Sequence, residues 1–117
     1  MTMYSYLAEV VRWVDGDTVY LDVDLGFRMR STASFRLYGV DTPERGRPGA
    51  REATARAEEF APAGSVVRIE THKDPDKYGR WLVELYSPGA FRSLNTVLVE
   101  EGLAVGYLGG TRAAPVG

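Results

Sequence analysis

Thr18-Val19-Tyr20-Leu21-Asp22-Val23-Asp24-Leu25 alternates without a break: Val19, Leu21, Val23 and Leu25 fall on one face, Tyr20, Asp22 and Asp24 on the other. A two-residue period belongs to a strand with one face in a core and the other in water. On its N-terminal side, Tyr6 to Val14 is rich in strand formers and runs into the turn signal Asp15-Gly16. On its C-terminal side, Gly26 to Thr32 reads as a long hairpin loop, followed by a third strand over Ala33 to Val40. Arg45 to Gly49 then breaks the pattern with Gly and Pro. Ala50, Ala53, Ala57 and Phe60 recur at helical spacing, and Pro48 suits a first turn, which predicts a helix from Pro48 to Ala61. Val66 to His72 is a fourth strand, and Trp81, Val83 and Leu85 line one face of a fifth. The segment Asp74-Pro75-Asp76-Lys77-Tyr78-Gly79 between them is a turn by composition. A short helix from Ser93 to Glu101 stops at Gly102.

Three strands, a helix, two strands and a short helix make a mainly β (α+β) chain. The order fits a five-stranded Greek-key barrel of the OB-fold type, with one helix between strands three and four and the short helix after strand five. At 117 residues, 44% hydrophobic and 26% charged, with no internal repeat, the chain is expected to form one domain over 1–117, its Gly/Ala/Pro-rich stretch 109–117 fraying. Trp13 and Trp81 are expected to pack the barrel, and Glu58 and Glu59 to lie on a solvated helix face.

Composition removes whole classes of chemistry. With no cysteine there is no disulfide framework, thiolate metal site or cysteine nucleophile. A single histidine, His72, excludes a polyhistidine metal site, and no Gly-x-Ser-x-Gly elbow accompanies it. No apolar stretch is long enough to span a membrane, and Met1 to Val14 lacks a basic leader segment and carries Glu9. A soluble cytoplasmic monomer without a membrane partner is the expectation, with a secreted mature form as the alternative. The formal charge is −2, yet Arg28 to Arg51 holds six arginines against Asp41 and Glu44. Such a segment is either a place for a polyanion or a solvated Arg-rich loop.

A hairpin centred near Met29 would set Asp17 opposite Asp41. Opposed like charges destabilise a strand pair, so carboxylates kept there share either a proton or a cation. Oxygen donors suit a hard ion, Ca²⁺ or Mg²⁺, and Thr42 adds a backbone carbonyl. Glu44 follows Asp41 by three residues and Arg36 precedes it by five. A divalent ion, a further carboxylate and a guanidinium are the parts of a phosphodiester hydrolase: one polarises the phosphoryl group, one handles water, one stabilises charge. Strict alternation puts Arg36 and Asp41 on opposite faces, so the site requires Asp41 to lie beyond the regular strand or after a bulge. Taken singly, Asp15-Gly16-Asp17-Thr18 is also an ordinary turn, and Val40-Asp41-Thr42-Pro43-Glu44 an ordinary strand end before a helix start.

Four blocks occur together and in order: Val14-Asp15-Gly16-Asp17-Thr18-Val19; Phe35-Arg36-Leu37 leading into Val40-Asp41-Thr42-Pro43-Glu44; Asp76-Lys77-Tyr78-Gly79-Arg80; and Asn95 to Ala104 with Glu101-Gly102-Leu103-Ala104. This joint pattern resembles the staphylococcal nuclease (thermonuclease) family over residues 7–107. The resemblance implies an OB-fold and a Ca²⁺-dependent nuclease acting on DNA and RNA, cutting the P–O5′ bond to leave 3′-phosphates. It implies Ca²⁺ held by the Asp17 and Asp41 side chains and the Thr42 carbonyl, with Mg²⁺ or another divalent ion as substitute. Glu44 is implied as general base or water-orienting group, and Arg36 and Arg80 as phosphate contacts. Lys77, Tyr78 and Tyr107 are implied at the nucleotide cleft. The chain departs from the family prototype in a shorter loop after Glu44, a longer Gly26–Thr32 loop and an end at Gly117, where the prototype continues into a further helix. His72 has no implied role. A non-catalytic OB-fold module that binds nucleic acid or protein is the rival, and the complete acid–arginine set argues against it.

Overall fold

The computed structural model describes residues 4–72, 79–108 and 111–112. Period-two segments form β1 (Tyr4–Asp15), β2 (Thr18–Gly26) and β3 (Met29–Leu37), an antiparallel meander, followed after a turn by the two-residue β4 (Val40–Asp41). The helix α1 (Ala50–Phe60) leads to β5 (Val66–Thr71) and β6 (Trp81–Tyr86), and α2 (Leu94–Glu100) to β7 (Val105–Leu108) and β8 (Thr111–Arg112). Five strands close into a barrel in the order β1-β2-β3-β6-β5, the OB-type architecture expected from the element order. Outside it, β4, β7 and β8 make a small second sheet that the sequence pattern did not announce. Among the described residues no helix is long and apolar enough to cross a membrane.

The inward residues of every barrel strand make one core. Val19, Leu21, Leu37, Ile69, Val83 and Leu85 are wholly buried, and Leu94 and Leu98 of α2 join them. Ala53 and Ala57 are the buried stripe of α1, so its small residues let the helix lie close on the barrel. Trp13 plugs that end, its indole N–H donating to the Ala61 carbonyl at 2.8 Å, while Glu58 and Glu59 are exposed, as expected. The helix starts at Ala50, after Pro48, because Gly49 stands before it as its cap with φ of 91°.

Two expectations are corrected. The β2–β3 loop is not long: the strands run on to Gly26 and from Met29, and Phe27 and Arg28 alone turn the chain, with φ of 55° and 63°. A two-residue hairpin of this hand needs positive φ at both central positions. No Asn-Gly signal marks it, which is why composition alone suggested a wider loop. The tighter turn shifts the register, so Thr18, not Asp17, meets Arg36, and Asp17 does not face Asp41 across a strand pair. The second correction is Trp81, which lies 43% exposed at the barrel's edge.

Candidate active site

Asp17 ends the β1–β2 turn and is 92% buried, an environment that demands partners for every oxygen. Its carbonyl accepts from the Leu37 amide at 2.9 Å. One carboxylate oxygen accepts from the Thr18 hydroxyl at 3.1 Å; the other accepts from the Thr42 amide at 3.0 Å and from Arg36 Nη2 at 3.3 Å. The same Arg36 nitrogen donates to the Val40 carbonyl at 3.1 Å and to Asp41 Oδ1. Both aspartates therefore meet, through one guanidinium instead of across a strand pair. Arg36 is an outward residue of β3 whose side chain retains 13% of its exposure.

Asp41 reaches Arg36 because it stands past the end of β3. Tyr38 and Gly39 turn the chain, Gly39 with φ of 75°, and β4 sets off on a new line. The conflict that strict alternation posed for Arg36 and Asp41 is resolved by this break. Asn95 fixes it from behind: its side-chain amide donates to the Tyr38 carbonyl at 2.9 Å and the Val83 carbonyl at 3.0 Å, while its oxygen accepts from the Leu85 amide at 3.1 Å. β3 and β6 pair over three residues each, and Asn95 spans the place where that pairing stops. It is buried, and nothing in the sequence pattern marks it as a brace, since the groups it satisfies lie 10–57 residues away. Ser93 caps the helix, its hydroxyl accepting from the Thr96 amide.

Gly16 admits no side chain, since a Cβ there would stand 2.9 Å from both Ala53 Cβ and Thr42 Cγ2. The Asp15-Gly16 turn signal thus also records a close approach of α1 and the Thr42 segment. On the solvent side, Asp41, Thr42, Glu44 and Arg47 line a groove of about 420 Å³ closed by residues 102–105. Glu44 is exposed there. Arg45 turns back, donating to the Val14 carbonyl at 3.0 Å and lying 3.9 Å from Asp15. With Arg30 paired to Asp22 as well, the Arg-rich segment spends part of its charge within the fold.

Arg80 immediately precedes β6, two residues ahead of Leu82, the register partner of Arg36. Tyr107 lies in β7, the strand paired with β4, and is placed through its backbone. Lys77 and Tyr78 lie outside the described residues. Among the described residues no three acidic or histidine side chains cluster tightly enough to hold a metal by themselves. What converges is a pair of carboxylates with the Thr42 segment; the Thr42 hydroxyl is buried with no hydrogen-bond partner among the described residues.

The model of the family described as staphylococcal nuclease homologue matches residues 34–113. The chain belongs to the staphylococcal nuclease family. Among the relatives of this family member is the micrococcal nuclease of Shigella flexneri, 32% identical over 110 residues, which cover 88% of this chain and 59% of that protein. Protein ParB of Escherichia coli is 36% identical over 116 residues, covering 91% and 60%. The thermonuclease of Staphylococcus intermedius is 35% identical over 106 residues, covering 86% and 58%. The chain spans about three-fifths of the length of these curated relatives. The family match includes Arg36, Asp41, Thr42, Glu44 and Arg80; Asp17 precedes it and is joined to it by the hydrogen bonds above.

Proposed function

We propose that the chain is a divalent-cation-dependent nuclease that hydrolyses phosphodiester bonds of DNA and RNA, with Ca²⁺ as the ion and 3′-phosphates as products. The observation that supports it most is the convergence of Asp17 and Asp41 on Arg36, at the head of a groove that holds Glu44. The donor set fits a hard ion: two carboxylates within reach of one shared cation, no nitrogen or sulfur ligand, and the Thr42 carbonyl adjoining. Asp17, Asp41 and the Thr42 carbonyl would hold Ca²⁺, with Mg²⁺ as the alternative ion. When bound, the ion supplies a Lewis acid that polarises the phosphoryl oxygens.

The protein's own residues do the rest. Glu44, exposed in the groove, orients a water and accepts its proton as the water oxygen bonds to phosphorus. Arg36 and Arg80 neutralise charge building on the phosphoryl oxygens, a task for which the planar guanidinium is better shaped than an ammonium. The P–O5′ bond breaks, the 5′-oxygen takes up a proton, and the phosphate stays on the 3′ side. Lys77, Tyr78 and Tyr107 complete the nucleotide cleft in this reading.

Cleavage of single- and double-stranded DNA and of RNA, with Ca²⁺ or with chelator, tests it, wild type against Glu44→Gln. Calcium-dependent cutting that the substitution lowers by roughly 10²–10⁴-fold, with oligonucleotide affinity retained, is expected. A folded wild type that binds nucleic acid yet leaves it uncut in Ca²⁺ and in Mg²⁺ would replace the enzyme with a binding module.

A further inference from the structure

Among the described residues the barrel is capped by α1 at one end and open at the other. The open end is a mouth of about 640 Å³ walled by the inward residues of all five barrel strands, among them Tyr4, Tyr6, Phe35, Thr71 and Trp81. Its size falls within the range of small-ligand sites, roughly 300–1,000 Å³. Tyr4, Tyr6, Phe35 and Trp81 put aromatic rings in its wall, and Trp81 and Tyr4 remain 43% and 59% exposed. Soluble proteins rarely leave such rings uncovered together without a use.

Three features say what fits. First, the mouth adjoins the phosphate site through the backbone. Phe35 and Trp81 are register partners, and each is bonded to one of the two arginines, Arg36 and Arg80. Successive strand residues point to opposite faces, so this pair of aromatic rings lines the mouth while Arg36 faces out to the aspartates. Second, the walls offer flat, sequence-tolerant stacking surfaces. Third, the floor is not wholly apolar. His72 lines it, nine-tenths buried, its ring stacked on Tyr38 at 3.7 Å and its Nε2 3.2 Å from Glu84 Oε2. Its Nδ1 is buried with no partner among the described residues.

Resting on the nuclease reading, we infer that the barrel mouth is a pocket for an unpaired nucleobase of the substrate strand, one that neighbours the phosphate held by Arg36 and Arg80. A base in a duplex cannot enter, so the pocket favours single strands.

The test is binding of short single-stranded DNA in chelator, read by tryptophan fluorescence and anisotropy, in wild type and Trp81→Leu. Trp81 is exposed, so the variant should fold, and thermal denaturation checks that it does. Expected are quenching in the wild type that Trp81→Leu abolishes and a loss of affinity of roughly 5- to 100-fold. An oligonucleotide series with one abasic position moved along the strand should show one position that weakens wild-type binding and leaves the variant unchanged. Equal binding by both proteins, with no sensitive position, overturns the pocket, and calcium-dependent cutting in the same preparation leaves the nuclease reading standing. Quenching and a sensitive position in a protein that never cuts would sink the nuclease reading and keep the pocket.

Discussion

The two ends of the β2–β3 hairpin are built in opposite ways. At the Thr18–Arg36 end, Asp17, Arg36, Val40, Asp41 and Thr42 are cross-bonded, and Asn95 braces the same turn from α2. At the other end Phe27 and Arg28 turn the chain in left-handed conformations, with Phe27 97% exposed. Precision in a barrel is therefore local. The cross-bonded end tolerates no slack because charges must meet across segments, whereas the turn end has to do no more than reverse the chain.

Substitutions can break that contrast. Arg36→Ala should act most strongly, lowering turnover on the order of 10²–10³-fold and leaving Asp17 and Asp41 without the cation they share. Cleavage rates alongside thermal denaturation would read both effects; rates near wild type would show that the network serves folding alone. Asn95→Ala should come next. Buried backbone groups at Tyr38, Val83 and Leu85 lose a partner, at roughly 1–3 kcal/mol for each group left unsatisfied. Urea unfolding measures that loss, and Asn95→Leu should fail to recover it, since filling the volume does not satisfy those groups.

At the turn end the sign reverses. Replacing Phe27-Arg28 by Asn-Gly should stabilise the protein, by about 1 kcal/mol, as residues at ease with positive φ relieve the strain. A lower melting temperature would mean that Phe27 or Arg28 holds something in place. The smallest effect belongs to a surface tie between α1 and the end of α2. Arg56 donates to both Glu101 oxygens, at 2.8 and 3.1 Å, and this hydrogen-bonded pairing holds the Glu101 carboxyl below its usual range. The native state thus prefers the ionised form. The tie's contribution is present above the ordinary carboxylate pKa and is lost as pH falls through the lowered one. Glu101→Gln should cost little at pH 7 and nothing at pH 2, as paired melting curves would show.

Period-two patterning in β2 and alanine spacing in α1 made the barrel and its cap legible, because burial on one face leaves a direct mark in sequence. The site was legible as residues but not as geometry. Asp17, Arg36 and Asp41 were singled out, yet an opposed pair across the hairpin was the wrong route to their meeting. The register depends on two residues, Phe27 and Arg28, whose backbone angles no composition rule foresees. Asn95 was missed for a related reason: its function is to satisfy backbone groups far away in sequence, and such groups carry no side-chain signature. β7 was missed because its partner, Val40–Asp41, is too short to display a period.

One consequence of β4 concerns the order in which the chain is made. Asp41 lies on a two-residue strand whose partner is Val105–Gly106, and the turn before it is held by Asn95. Half the chain separates Asp41 from both braces. On a ribosome, the five barrel strands are all synthesised before the segments that set Asp41 in position. The segment that carries Asp41 therefore reaches its final place only once α2 and β7 have been made, later than the strands that enclose most of the core.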